Sequence, residues 1–121
     1  MDSVSRAIYD LVRFSGHALS NKEIARHLRM KNDRQLQGSG EEKGILERAR
    51  EEIYNTYDLF LVTNFSGSIL THDPDLAEAY TEEVWKRSKR SFDNLRALRE
   101  RIEHTRARRI EKQQLELSLN V

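Results

Sequence analysis

The stretch Leu19-Ser20-Asn21-Lys22-Glu23-Ile24-Ala25-Arg26-His27-Leu28 decides how the chain is read. Ser20 and Glu23 are spaced as a capping box: the Ser20 hydroxyl can accept from the Glu23 amide while the Glu23 carboxylate accepts from the Ser20 amide. Behind that cap, Ile24, Ala25 and Leu28 share one face, which predicts a short helix ending near Arg29. Arg29-Met30-Lys31 then forms a short turn. A second cap at Asn32-Asp33 makes Arg34-Gln35-Leu36-Gln37 the first turn of another helix.

Working outward, Val4, Ile8, Leu11 and Val12 recur at helical spacing, predicting a helix over residues 2–14 with Gly16 as its stop. Downstream, Gly38-Ser39-Gly40 interrupts the third helix, because each glycine in a helix interior costs about 1 kcal/mol. Residues 38–44 therefore read as a loop within that helix or a break before it. Helix character resumes from Glu41, with an apolar stripe at Ile45, Leu46, Ala49, Ile53 and Tyr57. The period then changes. Leu59–Thr63 and Ser68–Thr71 are rich in branched and aromatic residues, and Asn64-Phe65-Ser66-Gly67 between them is a turn cluster, so a β-hairpin is expected.

Asp73-Pro74 is a strong helix start, with Asp as the cap and Pro at the first helical position. Acids gather in the first turns and bases further along, as the helix dipole favours. No Gly or Pro follows Pro74, which predicts one long helix over residues 73–112 and a flexible tail over 113–121. Its apolar stripe is Leu76, Tyr80, Val84, Trp85, Ser88, Phe92, Leu95, Leu98 and Ile102. The first half is expected to pack on the helix at residues 2–14. Leu95, Leu98 and Ile102 lie several turns further out and are expected to meet a second copy as a two-helix coil, giving a homodimer.

Composition narrows the function classes. At 121 residues there is room for one domain, and the 34% charged content suits a chain with a long exposed helix. The absence of cysteine excludes disulfides and thiolate metal sites and fits a cytoplasmic protein. No apolar run approaches a membrane span, and Met1–Arg6 shows no secretory pattern. His17, His27, His72 and His104 lack paired ligand spacing, so no metal is expected. Gly38-Ser39-Gly40 is no phosphate loop, since no Gly-Lys-Ser/Thr follows and Glu41-Glu42 would repel phosphate. No nucleophile–base arrangement stands out, so neither enzyme activity nor a cofactor is expected.

The net charge is only +1, but it is unevenly spread. Residues 21–37 carry five bases and two acids, whereas residues 41–58 carry three bases and six acids. Residues 84–112 carry eleven bases and four acids, which either track phosphates or form a solvated face paired with Glu100, Glu103 and Glu111.

The order helix, capped helix, turn, helix, hairpin is the winged helix-turn-helix layout. Over residues 1–103 the sequence resembles the small winged-helix proteins of phages and prophages: Leu19–Leu28, Asn32–Leu36, Ile45–Ile53, the hairpin Leu61–Leu70, and Thr71 with Asp73-Pro74 opening a long charged helix. The glycine often found in that family's helix–helix turn is absent. The resemblance implies a mainly α fold with a small β-hairpin: a winged helix-turn-helix domain at residues 1–72 followed by the C-terminal helix. It also implies double-stranded DNA binding in phage transcription or replication control. Because phosphates repel an acidic helix, contact is expected at Lys22, Arg26, Lys31, Arg34, Gln35 and Gln37, with Asn64 and Ser66 at the wing tip. Gln35 and Gln37 suit an adenine edge and Arg34 a guanine. The alternative is an adaptor or inhibitor of a host protein that uses the same scaffold and the long helix.

Overall fold

A computed structural model describes residues 1–38, 44–82, 84 and 89–119, with the backbone alone at 89–92. The chain is mainly helical with one two-stranded antiparallel hairpin. Its order is α1 (Ser3–Phe14), α2 (Asn21–His27), α3 (Arg34–Gln37), α4 (Ile45–Tyr57), β1 (Phe60–Asn64), β2 (Gly67–Thr71), α5 (Pro74–Thr81) and α6 (Lys89–Leu119).

The helix starts follow their caps. Asp2 caps α1 by accepting from the Ser5 amide. The α2 capping box closes in both directions: the Glu23 amide donates to Ser20 Oγ at 3.1 Å and the Ser20 amide to Glu23 Oε1 at 3.2 Å. At α3 the capping oxygen comes from Asn32 and not Asp33; Asn32 Oδ1 accepts from the Arg34 amide. Asp73 caps α5, with Pro74 at its first turn.

The hairpin joins Asn64 to Gly67 directly across a two-residue loop, Phe65-Ser66. Strand alternation sends β1 side chains to opposite faces. Leu61 enters a cluster with Ile8, Ile24, Leu36, Leu46 and Ile53, built from α1 to α4. Phe60 and Val62 enter a second cluster with Ala77, Leu95, Leu98 and Ile102, built from α5 and α6. The hairpin is thus a layer between two helical units.

A third segment joins the sheet edge. The Leu19 amide donates to the Ser68 carbonyl at 3.1 Å and the Ser68 amide to the Leu19 carbonyl at 2.7 Å, an isolated antiparallel bridge. Gly67 makes that approach possible. It sits at φ 123°, and a Cβ there would lie 2.5 Å from the Leu19 carbonyl carbon.

The C-terminal part departs from the single long helix expected at 73–112. Helix α5 ends at Thr81, and α6 folds back antiparallel along it. Arg106 in mid-α6 donates to Asp75 and Glu78 at the start of α5, and Arg109 donates to the His72 carbonyl. The reason is tertiary: folding back lets Leu95, Leu98 and Ile102 close over the second face of β1. These three side chains, expected to meet a second copy, lie in the chain's own core. The first half of the expected stripe divides likewise: Leu76 is exposed, while Trp85 and Ser88 lie outside the described residues and Phe92 is described by its backbone alone. Helix α1 packs on α4 and β2, with Tyr9 stacked on Tyr57 at 4.4 Å. At the far end α6 is helical through Leu119, across most of the stretch read as a tail, where Gln, Leu and Glu are good helix formers. Of the expected break at 38–44, residues 39–43 lie outside the described residues; Gly44 packs against the α3 backbone. No helix is long and apolar enough to cross a membrane among the described residues.

Replacing Gly67 with Ala forces both a steric clash and a positive φ on a residue with a side chain, and thermal or urea denaturation should register a loss of about 2 kcal/mol or more. Gly16→Ala, where nothing lies within 4 Å, is the matched control; it should stay within about 0.5 kcal/mol of the parent. Equal stability of the two variants would contradict the Gly67–Leu19 contact.

Candidate functional site

Helix α4, which directly precedes the hairpin, is occupied on most sides. Leu46, Ala49 and Ile53 face the first core. On another side, Tyr54 Oη donates to the Arg101 carbonyl at 3.2 Å and pairs with Thr105 Oγ1 at 3.0 Å, binding α4 to α6. At a third position Glu52 accepts from the Asp2 amide. The body of α4 is therefore a structural post.

One open surface is made by α2, the turn after it, α3 and the hairpin loop. Lys22 and Arg26 stand one helical turn apart on the exposed side of α2. Lys31 in the turn and Arg34, Gln35 and Gln37 on α3 are exposed as well, as is Ser66 in the hairpin loop. Asn64 is only half-buried, but its Oδ1 already accepts from the Ser66 amide at 2.7 Å. Its side-chain carbonyl shapes the loop. Asn64 and Gln37 line one cavity, so the structure brings the hairpin loop and the end of α3 together.

The turn itself shows how the missing glycine is replaced. Arg29 adopts a left-handed conformation at φ 57°. Its amide donates to the Arg26 carbonyl at 3.1 Å, and the Met30 amide reaches the Ala25 carbonyl at 2.9 Å. That pair of bonds is a Schellman cap, in which glycine is the usual residue at the left-handed position. Arg29 fills it at a steric cost, while Met30 tucks against the first core and leaves Arg29 exposed. A position that usually serves only the turn thereby adds a cation to the open surface.

Charge engagement separates the two basic segments. In α6, Arg106 pairs with Asp75 and Glu78, Arg108 with Asp58, and Arg109 caps the His72 carbonyl. Hydrogen bonds donated to Asp75 and Glu78 hold the Arg106 guanidinium pKa above its usual value, and the bond to Asp58 does the same for Arg108. The described ion pairs take none of Lys22, Arg26, Arg29, Lys31 or Arg34. Near that surface, Glu23 is held below its ordinary pKa, first by the Ser20 amide and then by His17, whose Nε2 lies 3.4 Å away. Its charge belongs to the cap.

Sequence reasoning missed Arg50. It counted there only as one base in an acidic helix, yet it is half-buried, with Nη2 donating to Thr63 Oγ1 at 3.0 Å. Burial pulls its guanidinium down to about 10, so it stays charged at neutral pH. No linear signal marks such a residue, because its surroundings come from the hairpin. The described residues hold no cluster of three or more His, Cys, Asp or Glu suited to a metal. Comparison with family models, curated proteins and solved structures gives no match to this chain.

Arg29→Gly isolates the turn. Relief of the left-handed arginine, about 1–2 kcal/mol, outweighs the added flexibility of the unfolded chain, about 0.5–1 kcal/mol. The variant should melt a few degrees higher by calorimetry; a lower melting temperature would contradict the left-handed cap.

Proposed function

We propose that this chain is a winged-helix protein that binds double-stranded DNA through α2, the turn after it, α3 and the hairpin loop. Three features support the reading. The order α1, α2, α3–α4, hairpin matches the winged helix-turn-helix layout, and the isolated bridge from Leu19 to Ser68 ties the hairpin to the segment before α2. The bases of the α2–α3 surface are exposed and outside the described ion pairs. Two of the α6 bases that could compete for phosphate, Arg106 and Arg108, are held by Asp58, Asp75 and Glu78. This last contrast carries the proposal, since phosphate binding requires cations that are not already paired. Control of phage transcription or replication is the biological setting the sequence resemblance suggests.

In this reading α4 braces the DNA-facing elements. Phosphate contacts from Lys22, Arg26, Arg29 and Lys31 set the register, and Arg34 with Gln35 reaches base edges. A second reading, a protein-interaction adaptor, is favoured by one observation. Ile110, Leu115, Leu117 and Leu119 are all more than half exposed on the last turns of α6. Stable self-association with no duplex binding at low salt would favour that reading.

Fluorescence anisotropy with duplex DNA at a series of salt concentrations tests the proposal. Each lost phosphate contact lowers the slope of log K against log salt by about 0.9. Lys22→Ala with Lys31→Ala should therefore lower it by about 1.8 and weaken binding to every duplex alike. Arg108→Ala with Arg109→Ala should leave the slope unchanged. A slope that responds to the second pair and not the first would overturn the assignment.

A further inference from the structure

A cavity of about 420 Å³ lies where the two hydrophobic clusters part around β1. Its apolar wall comes from both clusters: Leu46 and Leu61 from the first, Leu95 and Leu98 from the second. Its polar wall holds Asn21 and the two charged groups, Glu47 and Arg50, together with Gln37, Thr63, Asn64, Thr81 and Asn94. The volume is within the range of sites that hold small molecules, about 300–1,000 Å³, and the lining joins an apolar side to a polar one.

The polar groups define the ligand's charge pattern. Glu47 and Arg50 are three residues apart on α4, so they project from the same side of that helix. Arg50 is oriented by its bond to Thr63 and keeps its charge. Asn21 Oδ1 is buried without a hydrogen-bond partner, an arrangement that costs free energy until a donor arrives. A single anion would satisfy Arg50 but face Glu47 and leave Asn21 unmet. A simple cation would meet Glu47 and Asn21 but face Arg50. A zwitterion meets all three.

We infer that this cavity binds a free apolar α-amino acid, with its carboxylate on Arg50, its ammonium group on Glu47 and Asn21, and its side chain against Leu46, Leu61, Leu95 and Leu98. The inference does not rest on DNA binding: Glu47, Arg50 and the four leucines lie outside the proposed DNA surface, which the cavity adjoins at Asn21. Its placement has a consequence: a ligand there would touch both helical units and the hairpin between them, and Gln37 and Asn64 line the same cavity.

Isothermal titration calorimetry on the full chain tests it with L-leucine and L-phenylalanine, against 4-methylpentanoate, isoamylamine and glycine. Saturable binding of at least one apolar amino acid is expected, with an affinity tenfold or more above that of the amine, the plain carboxylate and glycine. Arg50→Gln and Glu47→Gln should each weaken it tenfold or more while circular dichroism remains that of the parent. Should Arg50→Gln fail to fold, Glu47→Gln and the ligand series on the parent chain still decide. Absence of heat from both amino acids would overturn the inference. Equal affinity for 4-methylpentanoate would overturn the assignment of Glu47 and Asn21 to an ammonium group.

Discussion

Strand β1 is buried on both faces, and the rest of the fold answers that demand. A lone two-stranded hairpin is at best marginally stable in water. Here Leu61 is covered by α1 to α4 and Phe60 with Val62 by α5 and α6. Each large side chain fully withdrawn from water contributes about 1.5–3 kcal/mol. Covering Phe60 and Val62 is therefore reason enough for α6 to fold back. The Arg106 and Arg108 ion pairs are exposed and screened, so they set the pairing of α6 with α5 and Asp58 more than they hold it. Closing the other edge falls to Leu19, which reaches Ser68 only because residue 67 has no side chain.

That arrangement decides where function can reside. Sandwiching β1 brings α6 alongside α4, and the bonds of Tyr54 to Arg101 and Thr105 fix them together. The helix before the hairpin is then committed to the interior. What remains open are α2, its turn and α3, which meet the rest of the chain through Ile24, Ala25 and Leu36 and present their polar residues outward. The same parting of the two clusters leaves the cavity beside Arg50. The proposed surface for a polyanion and the proposed pocket for a small molecule both depend on a hairpin held between two helical units.

Much of this was legible in the sequence, and the failures have physical causes. Local chemistry read true: the Ser20–Glu23 box, the Asp73-Pro74 start and the hairpin are decided within a few residues of chain. The helix-turn at Arg29 was legible only as a missing glycine, because a left-handed arginine costs little enough to be tolerated and leaves no mark of its own. The stripe ending in Leu95, Leu98 and Ile102 was visible, but periodicity shows that a face must be covered and not by what. Nothing between Thr81 and Lys89 announces the reversal: no Gly or Pro stands there, and the demand for it arises at Phe60 and Val62, distant in sequence. Arg50 was hidden for the same reason. The exposed cations of α2 and α3 were readable from charge alone, whereas the pairing of the α6 cations required Asp75, Glu78 and Asp58 to be placed in space.

The central claim is that nucleic acid is met by α2, α3 and the hairpin loop while α4 and α6 serve as braces. Backbone amide chemical-shift mapping during titration with a short duplex at low salt tests it most directly. The account predicts shifts concentrated at Lys22, Arg26, Arg29, Lys31, Arg34 and Ser66, with Ile53–Tyr57 and Arg106–Arg109 unmoved. Shifts concentrated along α6, or a spectrum that does not respond to duplex at all, would contradict it.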